Sequence, residues 1–141
     1  MKLTRILAVG ACAAIALTGI TQSAFAAEKE HAEHKEKTVV PETVDGIMEA
    51  IHKAHGELAD VVKSKKLADV HHHAFAIRDL ANGLPAKVAA DKKVRVEGSV
   101  KNIAKLADDL DKAGDDNNQA ATEANLKKLD GVLMALEKQV K

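Results

Sequence analysis

Residues 44–62 read VDGIMEAIHKAHGELADVV, and the spacing of their aliphatic side chains decides the fold class. Val44, Ile47, Ile51, Leu58, Val61 and Val62 recur at intervals of three and four. An α-helix turns about 100° per residue, so this period gathers them on one face. Pro41 suits a first helical turn, and Glu42 and Asp45 complement the positive end of the helix dipole. The first helix is therefore expected over about residues 41–64, ending in the polar break Ser64-Lys65-Lys66.

The same pattern returns three times downstream. A second helix is expected over about residues 67–83, with Val70, Ala74, Ile77, Leu80, Ala81 and Leu84 on its apolar face and Gly83 and Pro85 stopping it. A third begins between Ala86 and Asp91 and ends near Ala113; Val96, Val100, Ile103, Ala107 and Leu110 share its face, with Gly98 on the other side. Gly114 reads as a C-cap, and Asp116 with Gln119 has capping-box spacing. A fourth helix over residues 119–140 presents Leu126, Leu129, Val132, Leu133, Leu136 and Val140. No stretch alternates as a strand does. Four amphipathic helices with short connections predict an all-α, up-down-up-down antiparallel four-helix bundle over residues 41–141.

What precedes the bundle reads as an address. Lys2 and Arg5 open the chain, an apolar run covers residues 6–20, and Ala24-Phe25-Ala26 is a small-x-small cleavage site. The expectation is a signal peptide over residues 1–26, cut after Ala26 (or after Ala27), and hence a periplasmic protein. Val9-Gly10-Ala11-Cys12 only loosely resembles a lipoprotein box, because apolar residues follow Cys12. With Cys12 removed, the 115 residues after Ala26 hold no thiol, hence no disulfide, Cys ligand or covalent haem. Residues 27–40 form a charged leader without apolar periodicity, expected to be loose, and carry His31 and His34. The run of residues 6–20 is too short to span a bilayer, so no stable membrane insertion is expected.

Composition excludes several functions. Lys plus Arg and Asp plus Glu both number 21 in the 141-residue chain, so no basic face is available for nucleic acid. There is no Trp or Tyr, and the only Phe residues are Phe25 and Phe75, which removes aromatic stacking platforms. No nucleophile–base arrangement, His-Glu-x-x-His motif or phosphate-cradling glycine loop is present, so an enzyme is not expected. Asp108, Asp109, Asp111, Asp115 and Asp116 do not follow the EF-hand pattern and read as a solvated face and cap.

The distinctive chemistry is histidine. Five of the seven lie in the bundle: His52 and His55 on the first helix, and His71, His72 and His73 in one run on the second. Helical geometry splits the triplet: His73 falls between Val70 and Ile77, and His71 and His72 fall on opposite flanks. Folding the first two helices back about Lys65 sets His55 opposite roughly residue 76, an offset of roughly 4–5 Å from His73 along the axis. His55 and His73 are thus the expected core of a site between helices 1 and 2, with His52, His71 and His72 as further candidates and Asp69 as a carboxylate donor. Imidazoles with open positions suit copper, zinc or nickel. The plainer reading is a pair of half-buried histidines satisfied by backbone or carboxylate partners. Met48 reads as core filler and Arg78–Asp79 as a structural ion pair.

An exported chain of this architecture resembles the periplasmic four-helix-bundle class that includes the b-type bundle cytochromes and the cytochrome c prime group. The Cys-x-x-Cys-His attachment motif is absent and residues 119–141 contain no histidine, which argues against haem. The segment His-His-Ala-Phe-Ala-Ile-Arg-Asp-Leu-Ala, with Leu-Asp-Lys-Ala-Gly-Asp and Ala-Asn-Leu-Lys-Lys-Leu-Asp after it, also resembles exported bacterial proteins found among metal-resistance functions. Together these imply a metal-binding or metal-resistance accessory protein whose partners are a metal ion and, as a further option, a second copy. The alternative expectation is a non-catalytic interaction or stress-protection bundle without a metal site.

Overall fold

The computed structural model describes residues 38–141. The expected signal peptide, Cys12, His31 and His34 lie outside the described residues. Four helices pack against one another: α1 (Val44–Lys63), α2 (Val70–Asn82), α3 (Ala90–Asp115) and α4 (Gln119–Val140), and no strand occurs among the described residues. Each packs on its neighbour in the chain, and α1 also meets α4 in the lightest of the four seams. The core is aliphatic: Ile47, Ile51, Leu58, Ile77, Leu84, Ile103, Leu110, Leu129 and Leu136 are among its fully buried side chains. No helix of the described residues is long and apolar enough to cross a membrane.

The helix ends depart from the expected positions for local reasons. α1 starts at Val44 because Thr43 caps it: Thr43 is extended (φ −113°, ψ 152°), and its hydroxyl accepts a hydrogen bond from the Gly46 amide at 3.1 Å. The preceding Val40 packs against the core. α2 is preceded by a single 3₁₀ turn, Leu67–Asp69, which buries Leu67, and is followed by another, Leu84–Ala86, containing Pro85.

The α1–α2 and α3–α4 connections use one device. After α1, the Lys66 amide bonds the Val61 carbonyl (3.0 Å) and the Lys65 amide bonds the Val62 carbonyl (3.1 Å); Lys65 itself is left-handed, with φ 58°. After α3, the Asn118 amide bonds Ala113 (2.9 Å) and the Asn117 amide bonds Gly114 (2.9 Å), with Asn117 at φ 50°. This is the Schellman arrangement, which pairs the carbonyls a helix end leaves over. Asn tolerates the left-handed region; Lys takes it at a steric cost that the turn must offset.

Gly114 is therefore not the cap. It is the next-to-last residue of α3 and is buried there. Its role is close approach: a Cβ at this position would lie 2.7 Å from the Leu67 carbonyl oxygen and 3.3 Å from the Val70 Cβ. The capping box expected at Asp116 is also replaced. Asp116 closes α3, and Asn118 caps α4 by accepting from the Ala121 amide at 3.1 Å. Gly98, by contrast, is exposed, and a Cβ added there would meet nothing within 4 Å.

The two glycines should respond oppositely to alanine. Gly114→Ala forces backbone apart where α3 meets the 3₁₀ turn, and urea denaturation should find it destabilised by about 1–3 kcal/mol. Gly98→Ala should stabilise by roughly 0.5–1 kcal/mol, as expected for an open helix interior.

Candidate functional site

The five bundle histidines form no single cluster; the fold distributes them over two seams and one helix end. His55, half-buried on α1, is directed to α4: its Nε2 lies 2.5 Å from Asp130 Oδ1. That nitrogen is sealed from solvent, yet no hydrogen bond of good geometry reaches it. The pair is therefore a close approach without the geometry of a directional bond. His52, exposed and one turn earlier, faces the same neighbouring helix. The carboxyl of Glu137 is held below its ordinary value first by the hydrogen bond and charge of Lys141, with His52 adding a smaller pull in the same direction. Gln119 completes the polar links of this seam, donating from Nε2 to the Val62 carbonyl at 2.9 Å.

His73 serves the α1–α2 seam. Its Nδ1 lies 3.4 Å from Glu57 Oε2, a distance for charge attraction and longer than an ordinary hydrogen bond. The residue of α1 opposite His73 is thus Glu57, while His55 turns away to α4. Both residues are half-buried beside a carboxylate, as the plainer reading has it, but no hydrogen bond satisfies the buried His55 Nε2.

His71 and His72 behave differently. His71 Nδ1 lies 2.8 Å from the Ala68 carbonyl oxygen. A carbonyl only accepts, so Nδ1 carries the hydrogen, and in the neutral ring Nε2 keeps its lone pair. The His72 ring, on an exposed residue, lies beside it, with centroids 3.8 Å apart and planes tilted by 41°. The two flanks of the sequence reading thus lie ring against ring at the first turn of α2. The 3₁₀ turn before α2 delivers the Ala68 carbonyl to the His71 ring.

Nearby groups are structural. Met48 is buried in the core. Arg78 stacks its guanidinium 4.3 Å above the Phe75 ring centroid and pairs with Asp79 at 2.9 Å. Among the described residues, no three of His, Cys, Asp and Glu are grouped so as to hold a metal ion together. Two partners escaped the sequence reading. Glu57 was accessible to it, since reflecting residue 73 about Lys65 lands on position 57. Asp130 was not, because nothing local sets the register of α1 against α4. No protein-family model, curated protein or solved structure matches this chain.

A double-mutant cycle on His55→Ala and Asp130→Ala checks the α1–α4 contact. Both groups are partly exposed, so the expected coupling is about 0.5–1 kcal/mol by chemical denaturation. Additive single effects would mean that the proximity contributes nothing to stability.

Proposed function

We propose that this protein is an exported, periplasmic, non-catalytic bundle that binds a divalent transition-metal ion through histidine. The observation that carries the reading is the His71–His72 pair. One ring has its tautomer set by a backbone carbonyl, leaving Nε2 with a lone pair, and the second ring lies against it. A histidine whose far nitrogen is hydrogen-bonded is oriented and made more basic toward a metal. Imidazole nitrogen suits copper, zinc and nickel. The sequence-derived candidates His55, His73 and His52 enter this reading as helix-seam residues, the first two beside a carboxylate of a neighbouring helix and His52 with a weaker influence on Glu137.

The reading includes an up-down-up-down course for the helices. Between α1 and α4, contacts pass from Val62 with Gln119 to His55 with Asp130. Between α3 and α4 they pass from Lys92 with Val140 to Asp109 with Asn125. In each seam, residue numbers rise on one helix as they fall on the other. The export part rests on the charged start, apolar run and cleavage site of residues 1–26.

A second reading, an interaction or stress-protection bundle with no metal, is favoured by one observation: no three-ligand group exists among the described residues. Calorimetric titration of the chain after Ala26 with Zn(II), Cu(II) and Ni(II) separates the two. The expected result is saturable binding that weakens about tenfold or more in His71→Ala/His72→Ala, a loss of at least about 1.4 kcal/mol. His55→Ala/His73→Ala should leave it nearly unchanged. Heat no greater than that of the His71→Ala/His72→Ala variant would decide for the metal-free reading.

A further inference from the structure

The His71–His72 pair is an incomplete coordination set. Two imidazoles supply two donors, whereas a tetrahedral zinc site takes four and a catalytic one takes at least three from protein. No third His, Cys, Asp or Glu joins the pair among the described residues. The remaining donors must come from water or from another molecule.

The position of the pair favours another molecule. It sits on the first turn of α2, outside the apolar core, and His72 is exposed. The ring of His71 is steadied from behind by the Ala68 carbonyl, so its free nitrogen does not have to be ordered when a ligand arrives. A second copy of this chain carries the same two rings in the same arrangement. A twofold axis through the ion would therefore bring four imidazole nitrogens together with no new residue type, as an isologous contact requires. Without Lys2 and Arg5 the chain after Ala26 has 19 basic against 21 acidic residues, a formal charge of −2, so long-range repulsion between copies is small.

We infer that His71 and His72 form one half of an intermolecular metal site, and that a divalent transition-metal ion joins two copies of the chain through them. The inference rests on the metal-binding reading above and adds the partner and the stoichiometry: one ion, two chains, four histidines. The ion is what joins the two copies, so chelation reverses the assembly.

Sedimentation velocity and native mass measurement on the chain after Ala26 test this, in EDTA and with Zn(II) at increasing ratio. The expected result is a monomer in EDTA and a dimer holding one zinc per two chains once half an equivalent is added. His72→Ala and the milder His72→Gln should stay monomeric at that zinc level, with apparent dimerisation weakened at least tenfold. Both change an exposed residue, and circular dichroism would verify that the fold is kept. His52→Ala, away from the pair, should dimerise as the parent does. A dimer that persists in EDTA, or one that His72→Gln leaves intact, overturns the inference. A monomer holding one zinc also overturns it but leaves metal binding standing. Absence of zinc binding in calorimetry overturns both.

Discussion

Each helix of this protein has to hide one aliphatic stripe, and the rest of the structure follows from that requirement. Among the described residues, the largest fully buried side chains are Ile, Leu and Val, with Thr122 the one polar member, and no aromatic ring is among the buried core residues. Each Leu or Ile so buried contributes about 1.5–3 kcal/mol relative to exposure. A core this apolar has no place for an ionisable group, so the titratable chemistry of the described residues sits at seams and helix ends. His55 and His73 lie where a helix edge meets its neighbour, and both find a carboxylate there. Thr122 stays in the core by returning its hydroxyl to the Asn118 carbonyl, one turn back at the start of the same helix.

The seams are not equivalent. Two of them join helices linked by short connections that carry the Schellman turns at Lys65 and Asn117, which limits the choice of register. At Gly114 the end of α3 comes so close to the turn before α2 that a Cβ would not fit, which adds a backbone constraint to the side-chain packing. The α1–α4 seam has no connecting turn. It is the lightest of the four, and polar links cross it: Gln119 to the Val62 carbonyl, His55 to Asp130, and the influence of His52 on Glu137. Side chains that are partly exposed supply less energy than buried hydrocarbon, which makes this the seam with least to hold it.

The separation between structural and available histidines follows from the same geometry. A ring beside a carboxylate on another helix is already engaged in joining two helices. A ring hydrogen-bonded only to the carbonyl of its own preceding turn, as His71 is, keeps its second nitrogen for something outside the fold. This distinction matters more than the number of histidines in a run. His73 is part of the same triplet as His71 and His72, yet it belongs to the α1–α2 seam.

The helix period of residues 44–62 and its three recurrences were enough to determine an all-helical protein of four packed helices, because apolar spacing is a local property of the chain. The face assignments of Ile47, Ile51, Ile77, Ile103 and Leu110 were legible for the same reason. The helix ends were less so: Thr43, Asn118 and Gly114 took roles that depend on which backbone groups lie nearby. The histidines divide along that line. Their positions on helix faces could be read from about 100° per residue. The partners could not, because the direction in which His55 reaches is set by how α4 lies against α1, across a long stretch of chain. The hydrogen bond that fixes the His71 tautomer needed a single 3₁₀ turn to bring the Ala68 carbonyl to the ring. Spacing along a helix is a property of sequence; which side chains meet across a seam, and which nitrogen is left free, is decided only when the buried stripes have chosen how the helices pack.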